Sequence, residues 1–71
     1  MVKITDAKAF GETIRCRRKE LRYTQTDLAE FSGFSVSFIS DLERGKETAE
    51  IGKAFYIANL LGMDVGLTKR G

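Results

Sequence analysis

Three glycines divide this chain into short segments. Gly33, Gly45 and Gly62 each follow a stretch whose apolar residues recur at helical spacing. Glycine at such a position is typical of a helix end, because it adopts the left-handed backbone conformation without steric cost. The spacing therefore predicts several short helices. A chain of 71 residues forms one small domain over residues 1–71 and buries only about 60% of its unfolded surface, so its core is marginal and two large packed layers are excluded.

The predicted fold is all-α, with four to five short helices. Apolar spacing and start signals place them at about residues 6–22, 24–32, 35–44 and 48–61. Thr24 followed by Asp27 resembles a capping box, Ser35 is a good N-cap residue, and Thr48 is predicted to cap the fourth helix. The second and third helices are both short and are joined by a turn that contains Gly33, which is the shape of a helix-turn-helix.

The last residues change their period. Met63, Val65 and Leu67 alternate with polar residues and glycine, which predicts a short β-strand over residues 63–68. A single strand needs a partner, and this partner is either residues 2–4 or the same strand of a second subunit, of which we favour the second. The fourth helix is apolar nearly all round, so it too is expected to meet a second copy. The predicted dimerisation residues are Ile51, Phe55, Met63, Val65 and Leu67.

The composition excludes several kinds of site. The chain has no histidine and a single cysteine, Cys16, so a zinc site, a Cys–His catalytic pair and a disulfide framework are not expected. No paired carboxylates stand out for acid–base catalysis, and no catalytic residue, metal or cofactor is predicted. The longest apolar run is far shorter than the roughly 20 residues of a membrane span, and no signal peptide is recognised. These observations predict either a cytoplasmic, non-enzymatic binding module that does not contact membranes or a subunit of a larger assembly.

The formal net charge is only +2, but the charges are unevenly distributed. Five basic residues fall within eight positions and are opposed only by Glu20; they are Arg15, Arg17, Arg18, Lys19 and Arg22. Such a cluster is either a solvated helix face or a patch that meets phosphates. The sequence position alone leaves both interpretations open.

Several short motifs, in order, resemble the phage repressor/Cro-type helix-turn-helix family. They are Arg18 and the segments 24–29, 33–35, 39–46 and 57–62. The residues from Met63 to Leu67 further resemble the end of HipB-type antitoxins, which are repressors that also hold a kinase-like toxin. The resemblance implies a lambda-repressor-like fold and a homodimer that binds double-stranded DNA at an inverted-repeat operator.

The same resemblance implies roles for individual residues. It pairs Arg18 with Glu43 in an ion pair between the first and third helices, and it gives the third helix the role of recognition helix. The implied DNA-binding residues are Thr24, Gln25, Ser35, Val36, Ser37, Ser40, Asp41, Arg44 and Lys46. Asp41 either accepts a hydrogen bond from a cytosine amine or repels phosphates. The helix is rich in serine where the family often has longer polar residues, so DNA shape is expected to carry part of the readout.

Two functions follow as hypotheses. The leading one is a sequence-specific transcriptional repressor. The alternative is an antitoxin whose main role is to bind and neutralise a HipA-type kinase toxin while regulating its own operon. An enzyme is not supported by any constellation of residues, and a purely structural domain leaves the grouping of Gln25, Ser35 and Arg44 unexplained.

Overall fold

The computed structural model describes residues 3–71, and four α-helices follow one another in this part of the chain. They are α1 (Ala7–Glu20), α2 (Gln25–Ser32), α3 (Val36–Glu43) and α4 (Ile51–Leu60). The prediction of an all-α fold with a helix-turn-helix is confirmed, since α2 and α3 are joined by a short turn at Gly33, whose φ is 78°. This left-handed conformation ends α2, as the glycine spacing predicted.

Side-chain hydrogen bonds cap the N-termini of the first three helices. The carboxylate of Asp6 accepts a hydrogen bond of 2.7 Å from the Ala9 N–H. Thr24 and Asp27 form a capping box, because each side chain accepts a hydrogen bond from the other residue's backbone N–H. The Ser35 hydroxyl accepts the Phe38 N–H at 3.0 Å. The predicted capping box and the predicted Ser35 cap are therefore confirmed.

The start of α4 differs from the prediction. Thr48 does not cap the helix: α4 follows Glu50, which makes no side-chain capping bond. Residues 47–49 instead form a turn, in which the Ala49 N–H donates to the Lys46 carbonyl at 3.2 Å. This turn uses the backbone around Thr48, so the first helical residue is Ile51.

The core lies where the four helices meet. Its largest fully buried side chains, each at most 1% exposed, are Ile14, Leu28, Ile39, Ile57 and Leu61. The axes of α1 and α3 approach closely at Gly11, where an added Cβ would lie 2.2 Å from the Leu42 carbonyl oxygen. A glycine is thus required for this contact, and it holds the third helix firmly against the first.

The predicted strand over residues 63–68 is wrong, because residues 3–71 contain no β-strand. After Gly62, the Met63 N–H donates to the Ala58 carbonyl at 3.0 Å, which completes the end of α4 and keeps Met63 packed on the core. Within residues 3–71 the alternating pattern beyond Met63 has no ladder partner, and a strand cannot form without one. Of the alternative partner segment 2–4, Val2 lies outside the described residues and the remainder is irregular.

Candidate nucleic-acid interface

The first turn of α3 presents three consecutive exposed residues, Ser35, Val36 and Ser37. Val36 is 41% exposed. The opposite side of α3 is anchored by Ile39 and Leu42, which are 0% and 4% exposed. The buried side of α3 is therefore packed against the core, while its N-terminal turn remains accessible to a ligand.

A buried ion pair ties α3 to α1. Arg18 donates from Nε and Nη2 to the two carboxylate oxygens of Glu43, at 2.6 and 2.9 Å. Arg18 is 8% exposed and Glu43 is 5% exposed. The hydrogen bond to Glu43 raises the pKa of Arg18 above its ordinary value, so the guanidinium keeps its charge although it is buried. Arg18 also donates from Nη1 to the Tyr23 carbonyl at 2.8 Å, which fixes the turn before α2.

The first residue of α2 joins the same network. Gln25 donates from Nε2 to Glu43 Oε1 at 3.1 Å. This bond links α2 to α3 and holds the Gln25 side chain in one position beside the exposed Thr24. A single carboxylate, that of Glu43, thereby orients the beginning of α2 relative to α3. The bond between Gln25 and Glu43 was not foreseen from the sequence, because the two residues are 18 positions apart.

Beyond the end of α3, two basic residues surround one carboxylate. Arg44 donates from Nη2 to Asp41 Oδ1 at 2.8 Å, and Lys46 Nζ lies 3.5 Å from Asp41 Oδ2. The hydrogen bond from Arg44 holds the pKa of Asp41 below its usual value. The side chains of Arg44 and Lys46 remain 73% and 54% exposed. The i, i+3 spacing of Asp41 and Arg44 is the sequence signal from which this pair could have been foreseen.

The loop that carries these cations is fixed to α1. Gly45 has a φ of 85°, and an added Cβ there would lie 2.7 Å from the Lys8 Cα. The backbone of the loop therefore rests directly against the beginning of α1. Ser40 lies half-buried on α3, just before Asp41. The structure thus places the sequence-predicted DNA-binding residues at the beginning of α2, along α3 from its first turn to Asp41, and in the loop after α3.

The basic cluster on α1 and in the turn after it contains both structural and unpaired residues. Arg17 donates from Nε to the Leu61 carbonyl at 2.9 Å and so binds the end of α4. Arg15 lies 3.8 Å from Glu12, and Arg18 belongs to the buried pair. The other two members, Lys19 and Arg22, are exposed and have no ion-pair partner among residues 3–71. Much of the cluster therefore serves the fold.

The predicted dimerisation residues fall into two groups. Ile51 and Phe55 are 68% and 37% exposed and line an apolar groove with Ile4 and Phe10. The other three do not line this groove: Met63 is half-buried, and Val65 and Leu67 are 42% and 102% exposed. The structure does not bring the two groups together within one chain.

Between residues 3 and 71, no group of three His, Cys, Asp or Glu side chains is arranged to hold a metal ion. Over the same residues, no helix combines the length and apolar character needed to cross a membrane.

Comparisons with known proteins agree with this architecture. The sequence pattern of the Helix-turn-helix family matches residues 14–67. The chain is 39% identical to the uncharacterized HTH-type transcriptional regulator y4mF of Sinorhizobium fredii (strain NBRC 101917 / NGR234) over 62 residues, which are 87% of this chain and 82% of that protein. It is 33% identical to the ImmF control region 10 kDa protein of Bacillus phage phi105 over 64 residues, which are 90% of this chain and 71% of the phage protein.

The fold itself is also found among solved structures. A chain in the structure of a HipA-HipB-O2-O3 complex superposes with a TM-score of 0.88 over 100% of both chains, at 21% identity. The resemblance noted from the sequence is thereby confirmed at the level of the fold. Because the family pattern spans residues 14–67 and two relatives are 39% and 33% identical over most of the chain, the chain belongs to the Helix-turn-helix family.

Proposed function

We propose that this chain is a transcriptional regulator that represses its target by binding double-stranded DNA in a sequence-specific manner. The observation that carries the proposal is the network of Arg18, Glu43 and Gln25, which orients α2 and α3 as one rigid unit. This unit leaves the first turn of α3 exposed, and a recognition helix enters the major groove with its N-terminal residues.

The beginning of α2 supplies contacts to the DNA backbone. Gln25 uses one amide N–H for Glu43, and the second N–H is available to a phosphate oxygen. The Thr24 hydroxyl lies at the same helix end, where backbone N–H groups favour an anion. Arg44 and Lys46 contact phosphates on the other side of α3. These contacts position the protein and carry no base sequence information.

In this proposal, the first turn of α3 and the residues that follow on its exposed side contact the bases. Ser35 and Ser37 hydroxyls hydrogen-bond base edges or phosphates, and Val36 packs on a thymine methyl group. Ser40 and Asp41 extend this surface by one turn. Because serine side chains are short, few direct base contacts are available, and sequence-dependent DNA shape supplies further specificity.

The active form in this proposal is a homodimer. Ile51 and Phe55 expose apolar surface beside the groove that they share with Ile4 and Phe10, and contiguous apolar surface marks interaction sites. A twofold dimer places two recognition helices roughly 34–36 Å apart, which is one turn of DNA. The operator is then an inverted repeat. Since the relatives come from a bacterium and a phage, the protein meets its operator in the cytoplasm.

The direct test is selection of bound duplexes from a random-sequence pool. We expect an inverted repeat with half-site centres about 10–10.5 base pairs apart to be enriched. The variant Ser37→Gln should change the selected half-site, whereas Thr68→Gln, at an exposed position in the C-terminal tail, should not. A folded wild-type chain that enriches no sequence would refute the proposal.

A second candidate function is that of an antitoxin which binds a HipA-type kinase toxin. The observation that favours it is an exposed aromatic side chain on α2: Phe31 is 55% exposed and packs edge-to-face on Tyr23 at 5.1 Å. Co-expression with HipA-type kinases from the source genome tests this role. Relief of growth arrest by the wild-type chain, and its loss in Phe31→Ser with unchanged DNA affinity, would support it. If the wild-type chain relieves the growth arrest caused by none of these kinases, the antitoxin role is contradicted.

A further inference from the structure

Asp41 forms ion pairs with Arg44 and Lys46, the two cations that the proposed function assigns to DNA phosphates. Its Oδ1 accepts from Arg44 at 2.8 Å, and its Oδ2 lies 3.5 Å from Lys46 Nζ. Neither cation has another acidic partner within residues 3–71. The Lys46 backbone N–H also donates to the Asp41 carbonyl oxygen at 3.0 Å, so the loop folds back over this residue. The local charge is therefore +1 where the two cations alone would give +2.

A carboxylate with one oxygen on each cation resembles a phosphate group that is clamped by both. A DNA phosphate must share these donors with Asp41 or displace it, and either event costs part of the attraction that the cations provide. We propose that Asp41 acts as an internal substitute for a DNA phosphate and thereby suppresses binding to non-operator DNA. This inference rests on the proposed DNA-binding function and adds a mechanism by which the free protein avoids the wrong sequences.

The position of Asp41 connects this effect to base recognition. Asp41 lies four residues after Ser37, so both occupy the same side of α3. A carboxylate at this place accepts a hydrogen bond from a cytosine amine in the major groove. At a site that offers such a donor, Asp41 turns to the base and releases Arg44 and Lys46 to the backbone. At other sites Asp41 remains on the cations, so phosphate clamping depends on the base.

The test compares two variants that change the net charge equally. Asp41→Asn removes the carboxylate from both cations, whereas Glu47→Gln removes an exposed carboxylate next to Lys46 that makes no ion pair in the described chain. Binding to a random-sequence duplex is measured by fluorescence anisotropy at several salt concentrations. We expect Asp41→Asn to bind roughly three- to tenfold more tightly than the wild type, and Glu47→Gln to change affinity by less than about twofold.

Two further measurements test whether Asp41 changes DNA affinity through Arg44 and Lys46. The slope of log K against log salt should steepen by about 0.9 for each phosphate newly neutralised in Asp41→Asn. In an Arg44→Gln, Lys46→Gln background, replacement of Asp41 should bring no gain, because the cations that it occupies are gone. The ratio of operator to random-duplex affinity should fall in Asp41→Asn. Asp41→Ser serves as a second variant if the asparagine variant melts at a lower temperature.

The outcomes separate this inference from the function on which it rests. If the wild type binds DNA and Asp41→Asn gains no more than Glu47→Gln, the inference is overturned and the function stands. If Asp41→Asn binds random DNA more weakly, Asp41 contributes directly to binding and the inference is again overturned. If neither the wild type nor Asp41→Asn binds any duplex at low salt, both the function and the inference are wrong.

Discussion

The Arg18–Glu43 pair allows a quantitative prediction about stability. Replacing Glu43 by leucine leaves Arg18 buried without the acceptor for two of its hydrogen bonds and removes the acceptor of Gln25. Breaking one side of a buried ion pair costs roughly 3–5 kcal/mol. A domain of this length has a free energy of unfolding of roughly 4–10 kcal/mol. We therefore expect Glu43→Leu to be marginally folded, with Tm lowered by roughly 12–40 °C.

The matched control removes both charges together. The variant Arg18→Met, Glu43→Leu places two apolar side chains of similar volume in the same space, and such replacements are often neutral or stabilising. We expect the double variant to melt close to the wild type, apart from about 1 kcal/mol for the lost bond to the Tyr23 carbonyl. It should nevertheless bind DNA more weakly, because Gln25 has lost the carboxylate that orients it.

Thermal unfolding followed by circular dichroism measures all four members of this cycle. The expected coupling free energy between the two positions is at least about 2 kcal/mol. Single variants that melt within a few degrees of the wild type would show that the pair is not the buried link between α1 and α3. If the double variant loses as much free energy of unfolding as the two single variants together, the explanation by an unpaired buried charge is contradicted.

Three further predictions concern the packing, the dimer and the pH dependence. Gly11→Ala should destabilise the fold by about 1–3 kcal/mol in thermal unfolding because its Cβ meets the Leu42 carbonyl; Gly52→Ala, where nothing lies within 4 Å, should not, and equal effects would contradict the close approach. Ile51→Ser should weaken the dimer in sedimentation equilibrium with little change in secondary structure, and an unchanged dimer constant would exclude this residue from the interface. Because the folded chain lowers the pKa of Asp41, its ion pairs stabilise the fold above about pH 4 and are lost as pH falls through the lowered pKa. The Tm of Asp41→Asn should therefore decline less steeply in acid than that of the wild type. An equally steep decline of Tm in both proteins would refute this.

The features that depend on neighbouring residues were predictable from the sequence. The Thr24–Asp27 capping box and the Ser35 cap join residues three positions apart, and Gly33 ends α2 through its own backbone preference. Side-chain identity and short spacing determine such features, because the atoms that interact are already close along the chain.

The features that depend on distant residues were not predictable in this way. The Gln25–Glu43 bond joins positions 18 apart, and the Arg18–Glu43 pair was expected only from the family resemblance. The strand expected at residues 63–68 was wrong because alternation describes the side chains and does not provide a hydrogen-bonding partner. The beginning of α4 was misplaced because a turn at residues 47–49 competes for the same backbone groups.

In the proposed complex, the rigid unit of α2 and α3 contacts DNA with the beginning of α2, the first turn of α3 and the loop after α3. Titration of the ¹⁵N-labelled chain with a duplex, followed by NMR amide shifts, tests this directly. We predict the largest shifts at Gln25, at Val36 and Ser37, and at Gly45, with little change at Thr68 and the rest of the tail. Shifts confined to α4 and the tail, with α2 and α3 unchanged, would show that this interface is wrong.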